Sequence, residues 1–147
     1  MSVDSELIRK TQSIVLSHSK GLATTFYQML EDTYPESKIL FQSAKMNVQK
    51  MEFERAFYHI LSLLDQPEEL QKYLHDIGIR HMTYGILAIH YPMITQTLIL
   101  TLKSLFAEQW NGDIEKNWKD LIQTILKQML NGVHSVDKNY NNPPVTP

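Results

Sequence analysis

The chain has 147 residues, 43% apolar and 20% charged, and its 14 basic and 16 acidic side chains leave a formal charge of −2. That make-up fits one globular domain with a substantial core, and no basic patch is dense enough to indicate nucleic acid. With no cysteine in the sequence, disulfides, thiolate nucleophiles and thiolate metal sites are excluded.

The first residues, Met1 to Glu6, carry neither a basic region nor an apolar run, so no secretion signal is expected. The apolar segment Ile94 to Phe106 is too short and too threonine-rich to span a bilayer. The expectation is a cytoplasmic protein without membrane insertion. Only five glycines and six prolines interrupt long 3.6-residue patterns, which predicts an all-α fold.

The first helix is predicted from Asp4 to His18, with Leu7, Ile8, Thr11 and Val15 on one stripe. Ser19-Lys20-Gly21 forms a junction. A second helix covers Leu22 to Thr33, with Leu22, Phe26, Met29 and Leu30 inward and Tyr27 at the edge of that face. Pro35 suits the first position of a short helix reaching Phe41, where its missing N–H costs nothing. After a polar connection, Gln42 to Lys45, the next helix runs from Met46 to Leu64. Its stripe is Phe53, Ala56, Phe57, Ile60, Leu61 and Leu64, with Gln49 one turn earlier on the same line.

Pro67 opens a helix to Met82 that places Leu70, Leu74, Ile77 and His81 at steps of four, three and four. His81 therefore continues an apolar stripe. Gly85 breaks the chain, and Pro92 lies just inside the next helix, whose buried line is Tyr91, Ile94, Leu98, Leu102 and Leu105. Asn111-Gly112-Asp113 is a turn and cap ahead of a last helix, Asp113 to His134, patterned on Trp118, Leu121, Ile122, Ile125, Leu126, Met129 and Val133. The polar, proline-rich segment 136–147 is expected to be disordered, leaving 1–135 as the domain.

Three inward-facing polar residues stand out: Tyr27, Gln49 and His81. Burying such groups costs about 1–3 kcal/mol unless they find partners. On spacing alone a backbone carbonyl or an ordered water would serve each of them as well as a ligand would. The six histidines show no HExxH or comparable paired spacing for zinc, and nothing resembles a phosphate-binding loop or a nucleophile elbow. Glu52 and Glu54 are expected on the solvated sides of their helix, the seven methionines as core filler, and Trp118 as a packing anchor.

In order and spacing these residues resemble a globin, specifically the haem domain of flavohaemoglobins and their single-domain bacterial relatives. Phe26-Tyr27 is similar to that group's distal tyrosine, and Phe41 to the phenylalanine that stacks on the haem. Gln49 is similar to the distal helix residue, and it precedes His81 by 32 residues, as the group's distal and proximal residues are spaced. Arg80-His81, Tyr84-Gly85 and His90-Tyr91-Pro92 resemble the proximal block, and Trp118 also fits. The likeness covers about residues 4 to 134.

The resemblance implies a globin fold, six main helices plus one short helix around a haem pocket. It further implies haem b, with His81 binding iron through Nε2, Tyr27 and Gln49 stabilising a distal ligand, and Phe41, Phe53, Tyr84 and Tyr91 around the cofactor. The expected ligands are dioxygen, nitric oxide or other small diatomic molecules. Tight, slowly released oxygen is expected, supporting oxidation of nitric oxide to nitrate. The sequence departs from the group in two respects. Tyr91 stands ten residues after His81, where a supporting tyrosine belongs, but no acid occurs from Leu121 to Val136 to complete its network. No flavin or nicotinamide domain follows, so turnover is expected to need a separate reductase. The alternatives are oxygen binding or storage without turnover, a haem-based gas sensor, and an interaction module without haem.

Overall fold

The computed structural model describes residues 4–17, 21–42, 44–86 and 88–137. Among these the chain is helical, with no strand. The six long helices are α1 (Ser5–Ser17), α2 (Leu22–Thr33), α3 (Met46–Ser62), α4 (Pro67–Thr83), α5 (Tyr91–Phe106) and α6 (Gly112–Val136). A 3-10 helix over Pro35–Phe41 joins α2 to α3, and shorter 3-10 turns precede and follow α5. Pro35, Pro67 and Pro92 all sit in the first turn of their helices, where a missing N–H is harmless.

The predicted order holds, and the differences lie at ends. Helix α6 starts at Gly112, capped by Asn111, whose side-chain oxygen accepts the Ile114 N–H at 2.9 Å. It runs on to Val136, the first residue assigned to the expected tail, and the rest of that segment from 138 lies outside the described residues. Of the predicted junction after α1, only Gly21 is described.

Two layers of helix pairs build the core. Helix α4 packs most extensively on α6, and α2 on α5. The first pairing is unusually close because glycine lines it from both sides. A Cβ on Gly78 would lie 2.1 Å from the Met129 carbonyl oxygen, and one on Gly132 would lie 2.4 Å from the His75 Cα. The N-terminus is tied to α6 by Asn117, which accepts from the Asp4 N–H at 2.8 Å and donates to the Asp4 carbonyl at 2.9 Å. Trp118, fully buried, donates its indole N–H to Thr11 at 3.1 Å.

The buried line of α5 differs from the predicted one. Thr97 and Thr101 are fully buried, alongside Tyr91, Ile99, Leu102 and Phe106. Each threonine hydroxyl donates to the carbonyl four residues earlier, Thr97 to Met93 at 2.7 Å and Thr101 to Thr97 at 2.8 Å. Self-satisfaction of this kind lets a threonine occupy a core position that hydropathy assigns to an aliphatic residue.

The consequence for the site lies between α3 and α4. Helices α3 and α4 are consecutive and joined by a short turn, yet they pack on each other only sparsely. They meet where His59 touches the Tyr73 ring edge-on at 4.5 Å and where Ile60 joins Leu74 and Ile77. Gln49 lies near the start of α3 and His81 near the end of α4, both far in sequence from the joining turn.

Candidate functional site

Tyr27 is brought inward because α2 buries Ala23, Phe26, Tyr27 and Leu30 together. On α3, Gln49 is half-buried and its amide Nε2 donates to the Tyr27 hydroxyl oxygen at 2.8 Å. The Tyr27 oxygen is thereby the acceptor, and its own O–H proton is left to point elsewhere. Burial, opposed by this Gln49 bond, pushes the Tyr27 phenol up to about 12 from 10.0. It stays a neutral donor throughout the physiological range.

Aromatic rings wall the pair. Phe41 meets Tyr27 edge-on at 5.4 Å, Phe53 meets it at 5.8 Å, and Phe26 stacks on Phe53 at 4.6 Å. A cavity of about 270 Å³ opens beside Tyr27, lined with Leu30, Glu31, Ser37, Lys38, Phe41 and Met46. That volume greatly exceeds what one water-sized molecule needs.

On α4, His81 is half-buried, and its Nδ1 lies 2.8 Å from the Ile77 carbonyl oxygen. A carbonyl only accepts, so Nδ1 carries the proton and Nε2 keeps the lone pair. Burial lowers the His81 pKa, with Arg80 acting in the same direction and the Ile77 bond opposing. Both effects favour the neutral ring that a metal requires.

The backbone at His81 is fixed from the other side. Gly85, at φ +89°, ends α4 in the left-handed conformation. The Gly85 N–H donates to Met82 at 3.0 Å and the Ile86 N–H to the His81 carbonyl at 3.0 Å. This is the Schellman arrangement that glycine permits after a helix end. Buried Ile86 anchors it in a cluster with Ile77, Tyr91, Met129 and Val133. Tyr91 thus lies in the cluster that holds Ile77 and Ile86, two of the backbone partners of His81.

Of the residues singled out in the sequence, Tyr27, Gln49, Phe41 and Phe53 form one contiguous group. His81 and Tyr91 belong to the α4 side. Tyr84 stands apart: it is the residue at the end of α4 and is 75% exposed, because the turn at Gly85 directs it to solvent. Glu54 was expected on a solvated face, but it is half-buried and its carboxylate accepts the Ala23 N–H at 3.1 Å. The available signal was at α2, which begins without a capping side chain and without an acid in its first turn.

Among the described residues, no group of three or more His, Asp or Glu side chains converges on one point. His81 would therefore bind only a metal that brings its other donors with it. Its free Nε2, the aromatic walls and the Tyr27–Gln49 donors fit a haem.

Comparison with known proteins agrees. The globin family model matches residues 23–129. A flavohemoprotein of Rhizobium meliloti is 24% identical over 115 residues, which are 77% of this chain and 28% of that protein. One of Chromobacterium violaceum is 24% identical over 133 residues, 87% of this chain and 33% of that protein. The chain thus spans about a third of the length of these relatives. An uncharacterized globin-like protein of Aquifex aeolicus is 21% identical over 84% of this chain and 87% of its own. Among solved structures, an engineered carbene transferase from Rhodothermus marinus shares the fold, with a TM-score of 0.79 at 20% identity over 92% of this chain and 94% of that one. No single helix among the described residues is long and apolar enough to cross a membrane. By the extent of the family match, the chain belongs to the globin family, and that membership implies a haem cofactor.

Proposed function

We propose that this globin holds haem b with His81 as the iron ligand, retains dioxygen tightly through Tyr27 and Gln49, and supports oxidation of nitric oxide to nitrate. When bound, haem would supply a redox-active iron that takes a diatomic ligand. The chain's residues do the rest. His81 presents Nε2 in a fixed orientation, with Nδ1–H committed to Ile77. Gln49 holds the Tyr27 oxygen, so that the phenol O–H is free to donate into the pocket. Phe41 and Phe53 keep the donors out of bulk water, where they would be worth less.

The single observation that carries this reading is the Gln49–Tyr27 hydrogen bond at 2.8 Å inside an aromatic wall. Nitric oxide, dioxygen and one electron balance to nitrate, and a reductase would supply the electron. The flavohemoprotein relatives support that chemistry, as does the solved neighbour, which is also described as a candidate nitric oxide dioxygenase.

The direct test is oxygen dissociation from the haem-loaded Tyr27→Phe variant. A hydrogen bond to a charged acceptor contributes about 1.5–3 kcal/mol, so release should accelerate about ten- to hundredfold. An unchanged rate would sink the distal assignment.

Oxygen binding without turnover is the second reading, and one observation favours it. His81 Nδ1 donates to a neutral backbone carbonyl, a weaker electron-donating partner than a carboxylate. Mixing the oxygenated protein with nitric oxide and measuring nitrate separates the two readings. Nitrate beyond one per haem, with an added reductant restoring ferrous iron, supports the dioxygenase, and nitrate limited to one per haem supports the carrier.

A further inference from the structure

Glu54 lies on α3, five residues beyond Gln49. Its Oε1 accepts the backbone N–H of Ala23 at 3.1 Å. Ala23 is the second residue of α2 and is 1% exposed. The first N–H groups of a helix have no partner within it, and Gly21 at the cap provides no side-chain bond. Glu54 therefore fills, from another helix, the place of an N-cap side chain, with its carboxylate at the positive end of the α2 dipole.

Ala23 and Tyr27 are four residues apart and share a face of α2. Two polar bonds thus tie α2 to α3, Glu54 to Ala23 and Gln49 to Tyr27, and Phe53 stacks on Phe26 in the same interface. A helix held at one polar point and one stacked ring can still slide or turn about its axis. A second bond one turn away removes that freedom.

We propose that Glu54 is a positioning residue: by clamping the N-terminus of α2 to α3, it holds the Tyr27 hydroxyl in register with Gln49 and with the pocket. This rests on the reading of Tyr27 as the donor to a distal ligand. The sequence shows only that α2 lacks a cap of its own; it does not point to Glu54, because the bond joins residues 31 apart and involves a backbone group.

The experiment compares haem-loaded wild type with Tyr27→Phe, Glu54→Ala, Glu54→Gln and Asn117→Ala. Oxygen dissociation is measured, together with the C–O stretching frequency of the carbon monoxide complex, which reports donation from distal groups. Glu54→Ala should release oxygen about fivefold faster and move the stretch in the direction that Tyr27→Phe moves it. Glu54→Gln keeps a carbonyl acceptor and should stay near wild type. Asn117→Ala loosens the N-terminus away from the pocket and should move neither reading.

Wild-type values in Glu54→Ala, with Tyr27→Phe displaced, would overturn the role of Glu54 and leave the distal reading standing. So would a Glu54→Gln variant displaced as far as Glu54→Ala, or an equal displacement in Asn117→Ala. If Tyr27→Phe itself moves nothing, the distal reading fails and takes this inference with it. Where Glu54→Ala does not take up haem, Glu54→Asp, with its acceptor drawn back by one methylene, carries the same prediction, and unshifted values there overturn it.

Discussion

Tyr27 has a phenol pushed up to about 12 by burial, and this has a consequence for stability. The folded state binds the phenol proton more tightly than the unfolded chain, whose tyrosines titrate near 10.0. The resulting contribution is complete below pH 10 and is lost as pH rises through about 12. Two pK units correspond to about 2–3 kcal/mol. Alkaline unfolding followed between pH 10 and 12 should therefore fall less steeply in Tyr27→Phe than in wild type. Burial also raises Tyr58 and Tyr73, so the slope shrinks and does not vanish; identical slopes would count against a buried Tyr27. At this scale the sequence was partly legible. His81 could be read as inward because it extends Leu70, Leu74 and Ile77 at helical spacing. The Tyr27–Gln49 bond could not be read, since it spans 22 residues and leaves no trace in local periodicity.

Helix ends set the orientation of the candidate iron ligand. Gly85 closes α4 at φ +89°, and a Cβ added there meets nothing within 4 Å, so an alanine would suffer only the conformational cost of the left-handed region, about 1–2 kcal/mol. Gly85→Ala should lower stability by that amount in denaturant titration, and Gly85→Asn by less, because asparagine tolerates this conformation. Equal losses would mean that the turn is not held as described. Gly21, Pro35 and Pro67 made α2 and the start of α4 readable to the residue, and the polar connection 42–45 did the same for the start of α3. Helix α5 was harder. Thr97 and Thr101 satisfy their own hydroxyls along the helix, so a hydropathy pattern places the core line on their aliphatic neighbours.

The whole molecule depends on how closely α4 approaches α6. Gly78 and Gly132 each face backbone of the opposite helix, an arrangement invisible in a single sequence because a helical glycine reads only as a weak point in the pattern. Gly78→Ala cannot be absorbed by a side-chain rotation, since its Cβ would lie 2.1 Å from the Met129 carbonyl oxygen. Separating the helices should cost about 3 kcal/mol and displace α4, with His81 on it. Thermal unfolding of that variant should show a clear loss, and an unchanged midpoint would contradict the close packing. An all-helical fold was legible from periodicity and the globin architecture from the resemblance carried by residues such as Tyr27, Gln49 and His81, while the sparse packing of α3 on α4 emerges only once the α4–α6 and α2–α5 pairs are in place.

The central claim is that His81 offers Nε2 to haem iron. It is tested most directly by the absorption spectrum of haem-reconstituted protein, comparing wild type with His81→Gly before and after added imidazole. Wild type should show an imidazole-ligated haem band, His81→Gly should lose it, and free imidazole should restore it. An unaltered spectrum in His81→Gly would contradict the account.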